Sequence, residues 1–121
     1  MNAKFNIENL GDFTKIQRID LKEKLNLSGC EISINTMQAN TNVPFIHSHK
    51  ENEEVYIILN GSGSIKLDNE LISINQGDII KVTPSVKRQI YATTNLNYIC
   101  IQTKENSLNN YTFTDGVIYN A

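Results

Sequence analysis

Short apolar runs separated by turn-forming residues dominate the middle of the chain. Seven segments there carry β-branched or aromatic residues over the length of a strand: EISINTMQA, EEVYIILN, GSIKL, ELISI, GDIIKV, RQIYA and NYICIQT. Glycine, asparagine, aspartate or proline lies between these segments, and these are the residue types that interrupt strands and form turns. The pattern therefore predicts seven strands between Cys30 and Thr103.

A two-residue connection joins two of these segments. Asp68 and Asn69 separate GSIKL from ELISI, which is the spacing of a tight hairpin between antiparallel strands. Repeated short strands with such turns are typical of an antiparallel sandwich or barrel. We expect one all-β domain over residues 1–121, with a core barrel at about 30–103, an N-terminal leader at 1–29 and a C-terminal tail at 104–121.

The two ends of the chain have weaker patterns. The apolar positions of IQRIDLKEKLNL fit neither the helical nor the strand period, so an edge strand and a short helix both remain open, with the strand favoured. The tail, ENSLNNYTFTDGVIYNA, is expected to lie on the surface. We expect its side chains Tyr111, Phe113 and Val117 to pack against the barrel.

Composition and charge narrow the class of protein. A chain of 13.7 kDa with 40% hydrophobic residues is large enough to bury one core without disulfides. Its net charge is -2 and its eleven Lys and Arg residues are scattered, which argues against DNA or RNA as a partner. No stretch has the apolar length of a signal peptide core or a membrane span, so a cytoplasmic location is expected. Cys30 and Cys100 lie in separate apolar runs, which favours buried, reduced thiols.

The only two histidines of the chain lie one residue apart, in PFIHSHKENEEVYIILNG. In extended backbone, side chains at i and i+2 share a face, so His47 and His49 point together. Glu54 follows and shares a face with Tyr56. Two imidazoles and one carboxylate form a facial ligand set for Zn, Ni, Fe, Mn or Co, with positions left open for water or substrate. The alternative is that both histidines belong to an exposed polar loop.

The wider spacing of this stretch resembles the first motif of the cupin family. That motif runs His, any residue, His, three or four residues, Glu, six residues, Gly, and Gly61 completes it after the residues just named. The second cupin motif resembles GDIIKVTPSVKRQ, in which Gly77 and Asp78 stand at the start and Pro84-Ser85 supply the turn. Where the family has its last metal-binding His, this chain has Arg88.

The resemblance implies a fold more than a reaction. Cupins are small double-stranded β-helix barrels, often dimers, and they include dioxygenases, sugar isomerases and non-catalytic ligand sensors, so the fold alone does not identify the chemistry. We accordingly expect a cupin or jelly-roll barrel. We also expect a homodimer, because open-ended barrels leave strand edges that the leader could cover, on its own or a neighbouring molecule.

Arg88 leaves three arrangements open. A guanidinium offers only hydrogen-bond donors and cannot ligate a metal. It could lie beside a bound ion and hold an anionic substrate group, pair with Glu54 in place of a metal, or point into solvent. Strand parity gives Tyr56 and Gln102 as further substrate-binding candidates, with Met37 and Phe45 on the wall of the pocket.

Three functions are compatible with these residues. The first is a metal-dependent enzyme that acts on a small anionic or hydroxylated substrate. The second is a binding or sensing protein with the same pocket and no turnover. The third is a metal-free isomerase or epimerase of the sugar-processing type, with His47 or His49 as the base. Whether the protein is an enzyme, and whether a divalent ion is bound or absent, is left open by the sequence.

Overall fold

The computed structural model describes residues 4–120, and β-strands are its main regular structure. A single 3-10 turn at Phe13–Lys15 precedes the strands, and a four-residue helix, α1 (Thr112–Asp115), follows them. The nine strands of the described chain are β1 (Arg18–Asp20), β2 (Glu31–Met37), β3 (Thr41–Asn42), β4 (Asn52–Asn60), β5 (Ser62–Leu67), β6 (Glu70–Asn75), β7 (Ile79–Val82), β8 (Arg88–Ala92) and β9 (Leu96–Lys104).

The strands form two antiparallel sheets. One sheet has the order β1-β2-β9-β4-β7 and the other has the order β3-β8-β5-β6. The prediction of an antiparallel all-β fold is confirmed, and each of the seven predicted segments has a strand at its position. The short β3 was not predicted, because two polar residues carry no periodic signal.

Alternation of side chains sets the core between the two sheets. Every second residue of β8 is buried, and β4 alternates in the same way over most of its length. These inward faces meet across the sandwich and exclude water, which is the main source of stability in such a fold. The most deeply buried apolar side chains are Ile34, Ile58, Ile65, Ile74 and Leu96.

Two residues of the sequence pattern, Asp68 and Gly61, adopt positive φ angles between strands. Asp68 adopts a positive φ of 54° in the hairpin between β5 and β6, and its carboxylate accepts the backbone N–H of Lys87 at 2.9 Å. Gly61 has a φ of 90°, and a Cβ atom at this position would overlap the carbonyl oxygen of Asn95. The backbones approach so closely here that only glycine fits.

The leader contains the edge strand that its sequence favoured, followed by a hydrogen-bonded turn rather than a helix. β1 pairs with β2 at the edge of the larger sheet, with Arg18 opposite Asn35. Directly after β1 the chain makes this turn, in which the backbone N–H of Leu25 donates to the carbonyl of Leu21 at 2.9 Å. A three-residue strand followed by one turn explains why neither period fitted the whole segment.

The tail does not pack against the barrel, so that prediction is wrong. Tyr111, Phe113 and Val117 are 59%, 91% and 71% exposed. Phe113 lies within α1 and Tyr111 caps its N-terminus, and α1 has no buried residue. Within residues 4–120 no helix is long and apolar enough to cross a membrane.

Both cysteines are free thiols. Cys100 is buried, as predicted, whereas Cys30 is partly exposed near the start of β2. The difference in burial follows from position. Cys100 lies in β9, the central strand of its sheet, whereas Cys30 lies just before the first residue of β2.

Candidate functional site

A cavity of about 1210 Å³ opens between the two sheets. It is bordered by inward-facing side chains of β2, β4, β8 and β9, by β1 and the residues just before it, and by the segment from Thr41 to Phe45. All six residues predicted as ligands or substrate contacts border it: His47, His49, Glu54, Tyr56, Arg88 and Gln102. Met37 and Phe45 also lie on its wall.

The backbone of the β3–β4 connection sets the direction of the two imidazoles. His47 and Arg88 exchange a pair of backbone hydrogen bonds, at 3.1 Å and 2.9 Å, and form an isolated antiparallel bridge. The N–H of His49 donates to the carbonyl of Pro84 at 2.8 Å. This part of the connection is therefore held in strand-like form, and the two rings lie with their centroids 5.2 Å apart.

Glu54 is the centre of a group of interacting side chains, which we call the polar cluster: His47, His49, Glu54, Tyr56, Arg88 and Cys100. Oxygen Oε1 of Glu54 accepts the Tyr56 hydroxyl at 2.6 Å and Nη1 of Arg88 at 2.7 Å. Oxygen Oε2 accepts the Cys100 thiol at 3.3 Å. Burial acts to raise the pKa of Glu54, but the hydrogen bonds from Tyr56, Arg88 and Cys100 outweigh it and hold that pKa below its usual value. Glu54 is therefore ionised at neutral pH.

Arg88 is paired with Glu54, which is the contact of the second arrangement, although His47 and His49 remain close enough to Glu54 to hold an ion with it. Its side chain is 0% exposed. Nε donates to the carbonyl of Val86 at 3.0 Å, and Nη2 donates to the carbonyls of Thr83, Pro84 and Val86 at 2.8 Å, 2.9 Å and 2.7 Å. The guanidinium thus faces a ring of backbone oxygens on one side and a carboxylate on the other. Its predicted contact with substrate has no exposed side-chain surface on which to occur.

The imidazoles and Glu54 lie close enough together to share an ion. One ligand atom from each of His47, His49 and Glu54 lies within 4.8 Å of the other two. Ligand distances of about 2.0 to 2.2 Å require small movements from this arrangement. Nε2 of His49 is 3.2 Å from Oε2 of Glu54, yet within the part of the chain that the structure describes it is buried without a hydrogen-bond partner. A buried nitrogen beside a carboxylate oxygen is a suitable place for a cation.

Burial controls protonation in this cluster. It lowers the pKa of His47, although the nearby Glu54 charge acts in the opposite direction, so the imidazole is neutral at neutral pH, the form that binds metals. Burial raises the pKa of Tyr56 and of Cys100, and it raises that of Tyr98 to about 12. These three side chains keep their protons at neutral pH, and Tyr56 and Cys100 donate theirs to Glu54.

Gln102 borders the cavity beside β4. Its side-chain oxygen accepts the Nδ2 amide of Asn52 at 3.0 Å, which leaves the amide nitrogen of Gln102 as a donor. The position follows from strand parity, because Gln102 lies directly opposite Glu54 in the register of β9 against β4.

Sequence analysis missed a second polar group, at the mouth of the cavity. Arg18 in β1 donates from Nη1 to Oδ1 of Asn35 at 2.7 Å, and Nδ2 of Asn35 donates to Oγ of Ser33 at 3.0 Å. Ser33 and Asn35 are 6% and 5% exposed. The sequence contained one indication of this group, because the apolar strand EISINTM has two polar residues, Ser33 and Asn35, at i and i+2.

Comparison with known proteins gives a full-length relative. The crystal structure of a cupin protein from Bacteroides fragilis is 41% identical, covers 97% of this chain and 98% of its own, and superposes with a TM-score of 0.90. A cupin superfamily protein from Desulfitobacterium hafniense is 18% identical, with a TM-score of 0.63 over 73% of this chain and 76% of its own, which is a likeness of fold alone.

Two further comparisons add little to that relative. An uncharacterised protein from Methanocaldococcus jannaschii is 40% identical over 45 residues, or 37% of this chain. The matched segment spans 36% of that protein, about a third of its length. No family model matches the chain.

Proposed function

This chain belongs to the cupin superfamily and has its double-stranded β-helix architecture, and from the polar cluster inside that barrel we propose that the protein binds a divalent metal ion. His47, His49 and Glu54 are the proposed ligands, and the cavity around them is the proposed site for a small polar or anionic ligand. One observation carries the proposal: buried Nε2 of His49 has no hydrogen-bond partner among residues 4–120 and lies 3.2 Å from Oε2 of Glu54.

The remaining residues of the cluster favour this use of Glu54. Arg88 and Tyr56 both bind Oε1, so they fix the carboxylate and leave Oε2 directed towards His49. Such outer contacts orient metal-ligating carboxylates in proteins. Two nitrogens and one oxygen suit Zn, Ni, Fe, Mn or Co, and a bound ion of this kind supplies Lewis acidity and open coordination positions.

Binding without turnover is the second candidate, and it has a specific basis. A general base or acid works best when its pKa lies near the operating pH. Burial raises the pKa of Tyr56 and of Cys100 well away from neutrality, so neither side chain next to Glu54 exchanges a proton readily. A non-catalytic binding or sensing role needs no such exchange. A metal-free isomerase, with His47 or His49 as base, is the account that survives if no ion binds.

Calorimetric titration of zinc and of nickel into chelator-treated protein tests the proposal. Wild type is expected to bind one ion per chain. His49→Ala should weaken binding by at least about tenfold, since loss of even an outer-sphere partner of a metal ligand has that effect. Ser48→Ala is the matched control, because Ser48 is exposed and lies between the two proposed ligands. Absence of binding to wild type, or equal binding to His49→Ala, would refute the metal site.

We also propose that the protein is a homodimer. Several large apolar side chains outside the barrel are exposed: Phe5 is 75%, Ile7 is 84%, Phe113 is 91% and Ile118 is 97% exposed. Apolar patches of this kind mark contact surfaces, and these lie on the two ends of the chain, which can reach a second copy. Light scattering at a protein concentration on the order of tens of micromolar should give the mass of a dimer. A monomer mass at that concentration would contradict the proposal.

A further inference from the structure

We propose that Arg18 at the mouth of the cavity recognises an organic anion, and that a small carboxylate or phosphate compound is the class of ligand this cavity takes. The inference rests on the proposed function in one respect, that this cavity is where the ligand binds. It adds a residue and a charge that the ligand set of the polar cluster does not specify.

The charges around the cavity favour an anion. Among the described residues that border it, the charged side chains are Lys15, Arg18, Glu54 and Arg88. Glu54 and Arg88 form a buried pair at 2.7 Å and cancel each other. Lys15 and Arg18 remain, both cationic, in a protein whose formal net charge is -2. Arg18 is paired with Asp20 at 3.0 Å, but both side chains of that pair are more than half exposed, so the pair is weak. A cleft with a local sign opposite to that of the whole protein attracts ligands by that local sign.

Arg18 is held in place for such a contact. The buried amide of Asn35 fixes Nη1 at 2.7 Å, and Ser33 in turn fixes Asn35. Within the described residues, hydrogen bonds to Asn35 and Asp20 use one N–H on each terminal nitrogen. The other N–H groups remain free on a side chain that is 59% exposed. A guanidinium with free donors in a fixed fork matches the two oxygens of a carboxylate or phosphate.

Asp20 is the existing partner that a ligand would have to replace. Its Oδ1 lies 3.0 Å from Nη2 of Arg18, and its side chain is 53% exposed. Exposed pairs of this type contribute little to stability, so an incoming anion competes with a weak contact. Removal of the Asp20 charge is therefore expected to strengthen anion binding, whereas removal of the Arg18 charge is expected to weaken it.

The polar cluster favours the same class of ligand from the other end of the cavity. The charge of Glu54 is already balanced by Arg88, so a divalent ion held by His47, His49 and Glu54 would keep most of its positive charge uncompensated. An oxygen anion is the complementary ligand for such an ion.

Calorimetry with succinate and inorganic phosphate tests the inference, and neutral succinamide is the control ligand. Metal-free and zinc-loaded wild type should both bind succinate or phosphate more tightly than succinamide. Arg18→Gln should weaken anion binding by about tenfold, the effect of one lost charge-assisted contact. Asp20→Asn should tighten it. Arg18→Lys, which keeps the charge and loses the fork, should fall between wild type and Arg18→Gln. Lys104→Gln, an exposed cation that does not border the cavity, is the matched control and should leave binding unchanged.

Zinc titration of Arg18→Gln separates this inference from the proposed function. If Arg18→Gln binds zinc as wild type does but has lost the anion, both proposals hold. If wild type binds neither succinate nor phosphate, or Arg18→Gln binds them as wild type does, the inference is overturned, whatever the zinc result. If zinc fails to bind wild type while succinate still requires Arg18, the metal site is wrong and the anion site stands. An unchanged urea midpoint for Arg18→Gln confirms that the variant is folded.

Discussion

The interior of the barrel has two halves built by the same strands. In β4, Glu54 and Ile58 are both buried on one face, and in β8 the same holds for Arg88 and Ala92. One end of each strand contributes to the polar cluster and the other end contributes to the apolar core. The polar cluster and the apolar core thus lie at opposite ends of the same strands rather than on separate elements.

The two halves are stabilised by different means. The apolar half, around Ile65 and Leu96, which are both 0% exposed, depends on filled volume and exclusion of water. The polar half depends on complete pairing, since Arg88 is fully buried and bonds to Glu54 and three carbonyls. We therefore expect volume changes to matter most in the first half and loss of a partner to matter most in the second.

Removal of the Glu54 charge should have the largest effect. Glu54→Gln leaves the buried guanidinium of Arg88 without its counter-charge, which typically costs about 3–5 kcal/mol in the free energy of unfolding. Urea denaturation measures the loss, and Glu53→Gln, the adjacent and less buried position, should lie within about 0.5 kcal/mol of wild type. Equal stability of the two variants would show that the polar half does not depend on this pair.

Truncation in the apolar half should be the next largest effect. Ile65→Ala removes buried methyl groups and leaves a cavity, for which about 2–5 kcal/mol is expected. Since Ile65 does not border the site, zinc affinity of the folded variant should equal that of wild type. A weaker zinc affinity at a temperature where the variant is fully folded would show that the two halves are coupled.

Arg88→His should replace one member of the buried ion pair with a third imidazole that can bind a metal ion. Arg88→His removes a fixed positive charge and adds an imidazole, so zinc should bind about tenfold more tightly, or about 1.4 kcal/mol. Without zinc the variant should be less stable than wild type, because Glu54 and the carbonyls of Thr83 and Val86 lose their donors. Calorimetry and urea denaturation with and without zinc measure both effects. Tighter binding with no loss of metal-free stability would contradict this account of Arg88.

The smallest expected effect is a pH dependence at the rim of the polar half. Burial lowers the pKa of His47 below its usual value of 6.5, so the unfolded chain takes up this proton before the folded chain does. The contribution is fully present above about pH 6.5 and is lost as the pH falls through the lower, folded value. Metal-free wild type should lose more stability than His47→Gln between about pH 7 and about pH 5.5. If stability changes with pH in the same way for the two proteins, this contribution of His47 is contradicted.

Local pattern accounts for most of the fold and part of the site. The seven strands followed from β-branched runs and turn residues, and the shared face of His47 and His49 followed from the two-residue period of extended backbone. The place of Glu54 beside them was implied by the resemblance to the first cupin motif. The choice among the three arrangements of Arg88 did not follow, because it depends on carbonyls that only the folded turn between β7 and β8 brings together.

Two other features lay outside what local pattern can show. Arg18 reaches the cavity because β1 pairs with β2, a contact between segments that share no sequence signal. The apolar residues of the tail suggested packing against the barrel, but apolar content alone does not say which surface covers a side chain. Phe113 is an example, since it is apolar and yet 91% exposed.

The backbone bridge between His47 and Arg88 has a consequence for local opening. Together with the bond from His49 to Pro84, it ties the β3–β4 connection to the same turn whose carbonyls hold the Arg88 side chain. These segments should therefore open as one unit, and amide hydrogen exchange at His47, His49 and Arg88 should give a common free energy of opening. Zinc bound to the imidazoles should slow all three amides equally, although one of them belongs to a residue that never touches the ion.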